Sequence, residues 1–161
     1  MLDRIVVVNS TPIIALREIS MLDVLKKLYE SVIIPEAVRK EVTVRNPRSL
    51  VGYNWIHVQS ITNKTAKATF TSALHDGEVE VMLLAKEIGA NLVIIDDGLA
   101  RKHAKYLGLT ITGTVGVLLR AKQNGIIKEL QPYLKDMIRY GFYISESVSQ
   151  EVLRLAGEIT S

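Results

Sequence analysis

Residues 75–98 read HDGEVEVMLLAKEIGANLVIIDDG, and this stretch predicts a helix followed by a buried strand, the unit around which the chain is organised. Its first half predicts an amphipathic helix that Gly89 ends in a left-handed conformation. Residues 92–95 follow as an unbroken apolar run, which is typical of a parallel strand covered on both faces. The apolar positions of the helix are Leu74, Val79, Val81, Met82, Leu84, Ala85 and Ile88.

The helix and the strand of this stretch have nearly equal lengths. A helix of about eleven residues rises roughly 16 Å, and about six strand residues rise roughly 20 Å. A helix that folds back against its own strand therefore places Glu78 close to Asp96. Open α/β folds build their sites at the carboxyl edge of the sheet, so both carboxylates are predicted to lie in a functional site.

Composition is that of an ordinary globular domain. The chain has 161 residues, of which 48% are hydrophobic and 23% charged, without a cysteine. Disulfides, thiolate metal sites and a cysteine nucleophile are thereby excluded. No apolar run approaches the roughly twenty residues of a membrane span, and no signal peptide opens the chain, so we expect a cytoplasmic protein without a membrane partner. A net charge of +3 permits a polyanionic partner.

Strand and helix patterns alternate along the rest of the chain. This order predicts one domain over residues 1–161, an α/β fold with three α/β/α layers and a mostly parallel central sheet. Ser20 is predicted to cap the second helix, and residues 61–72 are interpreted as a polar, mobile helix. The predicted strands cover residues 5–8, 32–34, 55–60, 92–95, 109–111 and 142–144, the last as an edge strand.

Several oxygen-bearing side chains are predicted to meet at the carboxyl edge of this sheet, because right-handed crossovers bring strand ends and helix starts there. Such a cluster without His or Cys suits a hard cation, Mg²⁺ or Mn²⁺. An ion of this kind orients a water and neutralises charge on a phosphoryl group. The residues are Asn9, Glu41, Glu78, Asp96, Asp97 and Thr112.

Each of these residues also has an ordinary structural interpretation. Glu78 alone would complement a helix dipole, Asp97 would cap the next helix, and Glu41 would be a solvated helix residue. The segment 112–116, TGTVG, is a weak candidate for a phosphate cradle at a helix start. A basic stripe of Arg101, Lys102 and Lys105 and the three histidines, His57, His75 and His103, are by default solvated. The functional hypothesis therefore depends on these side chains meeting at one edge of the sheet, and not on any one of them alone.

The chain resembles the PIN-domain family over nearly its whole length. The resemblance lies in VVVNSTPIIAL, PEAVRKEV and GEVEVMLLAKEIGANLVIIDD, and residues 95–127 resemble a prokaryotic subgroup of predicted PIN-like nucleic-acid-binding proteins. PIN domains are metal-dependent ribonucleases, many of them toxins of toxin–antitoxin pairs and commonly dimeric. The resemblance therefore implies a nuclease fold with Mg²⁺ or Mn²⁺ held by four positions, here Asn9, Glu41, Glu78 and Asp96.

One of these four positions departs from the family pattern. The family usually has Asp where this chain has Asn9, so the site loses one formal charge. Asp97 or Asp76 is placed to compensate, and Asp97 is included among the expected metal ligands. Activity is expected to be weaker, more metal-selective or absent.

The leading hypothesis is a metal-dependent endoribonuclease, with RNA as substrate and a small antitoxin as a candidate partner. The expected substrate contacts are Ser10, Arg101, Lys102, Thr112 and Thr114. The alternative is a PIN-like module that binds RNA or a protein without cleaving. A receiver-type signalling domain is disfavoured because residues 8–10, Val-Asn-Ser, supply no acidic pair.

A homodimer is also expected, from the family resemblance and from aromatic residues predicted to lie at the surface. The residues predicted to form this surface are Trp55, Ile56, Tyr133, Tyr140 and Tyr143.

Overall fold

A computed structural model describes residues 4–70 and 74–160 of the chain. Over this range the sheet has five strands, all paired in parallel, in the order β3-β2-β1-β4-β5. The side chains of β1 and β4 are buried throughout, and successive side chains point to opposite faces, so both faces of the sheet are covered. The strands are β1 (Val6–Val8), β2 (Val32–Ile34), β3 (Ile56–Val58), β4 (Leu92–Ile94) and β5 (Ile111–Thr112).

Helices connect these strands, and together with the sheet they confirm the predicted PIN-like α/β fold. Helix α5 packs against α3 and β1, and α2 packs against α7. Gly89 ends α5 with φ of 65°, the left-handed conformation that the sequence predicts. The helices are α1 (Ser10–Glu18), α2 (Asp23–Tyr29), α3 (Glu36–Arg45), α4 (Lys64–Lys67), α5 (Asp76–Ile88), α6 (Gly98–Tyr106), α7 (Thr114–Gln123), α8 (Gln131–Arg139) and α9 (Glu146–Leu155).

The pairing of β1 with β4 positions the predicted site. Val8 lies opposite Ile94, and the backbone N–H of Asn9 donates to the carbonyl oxygen of Ile94 at 2.9 Å. Asn9 and Asp96 therefore leave neighbouring strands at the same edge of the sheet. Because β1 is the central strand of the five, it pairs with a strand on each side, β2 and β4.

Three local predictions differ from the structure. Ser20 does not cap α2: the helix begins at Asp23 with Leu22 at its N-cap, and Ser20 has φ of 60° in the preceding turn. Residues 142–144 form no strand, because Phe142 donates its N–H back to Met137 and continues the end of α8. Helix α4 is much shorter than the expected helix over 61–72, of which residues 71 and 72 lie outside the described range.

Within residues 4–70 and 74–160, no helix combines the length and the apolar character that crossing a bilayer requires.

Candidate metal and RNA site

Asn9 lies at the centre of the carboxyl edge and has an unsatisfied acceptor. It follows β1 directly, is 2% exposed, and serves as N-cap residue of α1 without a capping hydrogen bond from its side chain. Its Oδ1 atom is buried and has no hydrogen-bond partner among the described residues. A buried acceptor without a partner costs roughly 1–3 kcal/mol. This atom is therefore a candidate ligand position.

Glu41 connects three helices beside Asn9. Its Oε1 accepts a hydrogen bond from the Ser10 hydroxyl at 2.7 Å, and its Oε2 accepts one from the Gly77 N–H at 3.1 Å. Ser10 follows Asn9, and Gly77 precedes Glu78. Glu41 is therefore held between the starts of α1 and α5 rather than extending into solvent.

Glu78 is buried in the first turn of α5 with 7% exposure. Its Oε1 accepts a hydrogen bond from the His75 N–H at 3.0 Å, so Glu78 has a structural role at the start of α5. Burial raises the pKa of Glu78, and the nearby carboxylates of Asp97 and Glu41 raise it further against the opposing effect of His75. Glu78 thus faces two other acidic groups in a poorly hydrated position, which favours a cation there.

Asp96 is held by the start of α7. The Thr114 N–H donates to its Oδ1 at 2.8 Å, and the Thr114 hydroxyl donates to its Oδ2 at 2.6 Å. The free N–H that suggested a phosphate cradle is therefore used by a carboxylate of the chain itself. Thr112 lines the surface beside it.

Asp97 is compatible with both interpretations made from the sequence, a helix cap and a charged residue of the candidate metal site. Its Oδ2 accepts a hydrogen bond from the Ala100 N–H at 2.9 Å and caps α6. Its charge also acts on Glu78, as described above. Asp76, the other residue expected to compensate for Asn9, is exposed and lies 3.6 Å from the Lys67 ammonium group.

The two expected basic contacts differ in their placement. Arg101 is half-buried, and its Nη1 donates to the Ile95 carbonyl oxygen at 3.1 Å, so the guanidinium lies beside the backbone that carries Asp96. Lys102 is exposed on α6. Arg101 therefore borders the carboxyl edge, and Lys102 is a solvated residue of the surrounding surface.

The profile of the DUF3368 family, described as a PIN domain, matches residues 5–158. The chain belongs to the PIN-domain family. A PilT N-terminus domain protein, SSO1118, from the hyperthermophilic archaeon Sulfolobus solfataricus P2 has a similar fold, with a TM-score of 0.52 and 18% identity. That similarity covers 73% of this chain and 92% of the archaeal chain. No curated protein sequence matches this PIN domain.

PIN domains generally use divalent metals, and the donor types at this edge fit such an ion. Asn9 Oδ1 lacks a partner, and Glu78 is a desolvated carboxyl beside two acidic neighbours. In the part of the chain that the structure describes, however, no three His, Asp or Glu side chains are close enough together to hold a metal ion. Glu41 and Asp96 both accept hydrogen bonds from donors of the PIN domain itself. The donor set fits, and its side chains would have to reorient around an ion.

Sequence analysis missed two glycines that this site requires. A Cβ at position 77 would lie 2.8 Å from Cδ of Glu41, and a Cβ at position 113 would lie 2.7 Å from Oδ1 of Asp96. Neither glycine has a positive φ, so each is explained by the carboxylate packed against it. The available signal was the glycine at position 77, directly before the predicted helix start at Glu78.

Proposed function

We propose that this PIN domain is a metal-dependent endoribonuclease that hydrolyses RNA phosphodiester bonds with Mg²⁺ or Mn²⁺. The observation that carries the proposal is the unpartnered Oδ1 of buried Asn9, which follows β1 at the carboxyl edge of a PIN fold. Asn9, Glu78 and Asp97 would hold the ion, with Asp96 as a further ligand on reorientation. The ion, when bound, supplies charge neutralisation at the phosphate and polarises a water.

The residues of the chain position this chemistry. Glu41 fixes the relative positions of the segments that carry Asn9 and Glu78, through Ser10 and Gly77. Thr114 orients Asp96 through two hydrogen bonds, as groups around metal ligands commonly do. Arg101 and Lys102 would bind the RNA phosphates, since a guanidinium recognises a phosphate with paired donors.

A cleavage assay tests the proposal on single-stranded, mixed-sequence RNA with Mn²⁺. Asn9→Asp adds a charged oxygen at the unpartnered position, so metal-dependent cleavage should rise. Asp96→Asn in that background should abolish the gain. Asp136→Asn, on α8 away from the edge, is the control and should leave cleavage unchanged. Cleavage that persists in full with Asp96→Asn would place the nuclease activity outside this site.

A second candidate function is an RNA-binding or partner-binding PIN module without hydrolysis. Two observations favour it: Asn9 is neutral, and Glu41 and Asp96 are already satisfied by protein donors. Under this proposal Asn9→Asp would raise the affinity for Mn²⁺ in calorimetric titration without producing cleavage. The same variants therefore separate the two candidate functions.

We further propose that the chain acts as the toxin of a toxin–antitoxin pair. This proposal follows from the family resemblance and commits to a small antitoxin protein as partner. Co-expression with the product of a small neighbouring gene, followed by purification of the complex, tests it. Recovery of the PIN domain alone would contradict it.

A further inference from the structure

A groove of about 530 Å³ opens next to Asp96, between the start of α7 and helix α9. Thr112, Gly113 and Gly116 form one side of this α7–α9 groove, and Val148, Val152 and Leu155 line the α9 side. Asp96 and Arg101 belong to its lining. The groove is therefore continuous with the candidate metal and RNA site.

The chemistry of the groove is mixed. Val148 is 47% exposed and Leu155 is 57% exposed, so apolar surface faces the solvent here. Ser147 and Glu151 add polar groups, and the carboxylate of Glu151 accepts a hydrogen bond from Arg154 at 2.6 Å, which offsets its charge. A nucleobase has two apolar faces and a polar edge, and it matches a surface of this composition.

A second cavity, of about 360 Å³, continues from the first along the β5 edge of the sheet. Thr112 and Gly116 line both cavities, and the second is also lined by Arg4 and Arg120. Arg101 thus lines the groove beside the site, and Arg4 and Arg120 line the adjoining cavity. A single strand of nucleic acid offers both phosphates for such cations and base faces for apolar surface.

We infer that the α7–α9 groove binds the nucleobase adjacent to the scissile phosphate of single-stranded RNA, and that its walls set the base preference of cleavage. The inference rests on the proposed function, because it takes the carboxyl edge as the place where the phosphate lies. The continuity of the groove with that edge and the Arg4 and Arg120 side chains of the adjoining cavity favour RNA over an apolar partner.

Two exposed valines provide a matched pair of variants. Val148 lies in the first turn of α9, where glutamate is compatible with the helix dipole, and Val58 lies on the edge strand β3 with 44% exposure. The probe is a short fluorescein-labelled single-stranded RNA, titrated in EDTA and followed by anisotropy. Inorganic polyphosphate of equal charge competes for the same surface without offering bases.

Val148→Glu should weaken RNA binding about tenfold, the loss expected when one base contact is removed. Val58→Glu should stay within about twofold of the wild type, and Val148→Glu should weaken polyphosphate binding less than RNA binding, because polyphosphate offers no base to the groove. Circular dichroism melting confirms that both remain folded. Equal RNA affinities of the two variants would overturn the inference, as would an equal loss of polyphosphate and RNA binding by Val148→Glu.

The outcomes also separate this inference from the proposed function. Metal-dependent cleavage with no effect of Val148→Glu would reject the groove and leave the nuclease in place. Selective loss of RNA binding by Val148→Glu without cleavage in the wild type would reject the nuclease and retain the groove in an RNA-binding module. Wild-type protein that neither binds nor cleaves the RNA would overturn both.

Discussion

The carboxylate of Glu41 lies directly over the backbone of Gly77. The Gly77 N–H donates to Oε2 of Glu41 at 3.1 Å, and a Cβ on residue 77 would lie 2.8 Å from Cδ of Glu41. A side chain at position 77 would collide with this carboxylate, so the position of Glu41 depends on the glycine.

Gly77→Ala should displace Glu41 and weaken Mn²⁺ binding about tenfold, as substitutions that misplace ligand-supporting groups commonly do. Gly98→Ala is the matched control. Gly98 also lies at a helix start, and nothing lies within 4 Å of a Cβ built there. Isothermal titration calorimetry on both variants checks the prediction, and equal Mn²⁺ affinities would contradict the role assigned to Glu41.

Thr114→Val should remove one of the two hydrogen bonds that orient Asp96 while preserving side-chain shape. The Thr114 hydroxyl donates to Oδ2 of Asp96 at 2.6 Å and is buried. We expect Mn²⁺ affinity and RNA cleavage to fall about tenfold or more. Thr114→Ser restores the hydroxyl and should recover most of the loss. A serine variant as impaired as the valine variant would indicate a packing effect instead.

Glu78 should make the metal-free protein less stable as the pH rises. Burial and the neighbouring carboxylates raise its folded-state pKa above the unfolded value. Its favourable contribution is therefore fully present below the unfolded pKa and is lost as the pH rises through the folded pKa. Glu78→Gln keeps an acceptor for His75, so the variant should be more stable than wild type at pH 7, with the difference shrinking towards pH 4.

Glu87→Gln provides a control of opposite sign. The Thr62 and Asn63 N–H groups donate to Glu87 and lower its pKa. The stability that Glu87 contributes is present above its unfolded pKa and is lost as the pH falls through the folded pKa. Urea unfolding of wild type and both variants between pH 4 and pH 8 checks both predictions. Glu78→Gln that destabilises at pH 7 without metal would contradict the assignment.

The expected homodimer remains a prediction. The exposed aromatic surface proposed for it is smaller than the sequence analysis predicted, because one of its residues is buried. Trp55 is 7% exposed and packs edge-on against Tyr53 at 5.9 Å between ring centroids, so it does not belong to an exposed patch. Tyr140 and Tyr143 are 55% and 89% exposed, at and beyond the end of α8. Light scattering should give about twice 17.9 kDa, and Tyr143→Ser with Tyr140→Ser should lower that mass. A concentration-independent mass near 17.9 kDa for wild type would reject the dimer.

The fold was predictable from sequence because its signals are local. Gly89 ends α5 as expected, and the apolar runs at 6–8, 32–34 and 92–94 are the three inner strands of the sheet. The failures have physical reasons. Phe142 and Ile144 pack against the core after α8 and do not pair in a sheet, and periodicity does not separate these two cases.

The membership of the candidate site stays a prediction, and its hydrogen bonds could not be predicted from the sequence. Sequence order placed Asn9, Glu41, Glu78 and Asp96 near one edge, since parallel strands end together. The hydrogen bond between Ser10 and Glu41 and the burial of Glu80 depend on how each helix is rotated about its axis against its neighbours. The sequence does not specify that rotation. Glu80 is 8% exposed and accepts hydrogen bonds from the Ala37 N–H and the Lys67 ammonium. No sequence motif predicts these contacts.

The backbone hydrogen bond from Asn9 to Ile94 does not involve the Asn9 side chain. The strand pairing that positions residue 9 is therefore the same whether that residue carries an amide or a carboxylate. Asn and Asp have nearly the same shape, so the electric charge of this edge can change while the scaffold remains as it is. Under the proposed function, a single replacement at position 9 therefore changes the formal charge offered to a divalent cation and leaves the backbone that positions it in place.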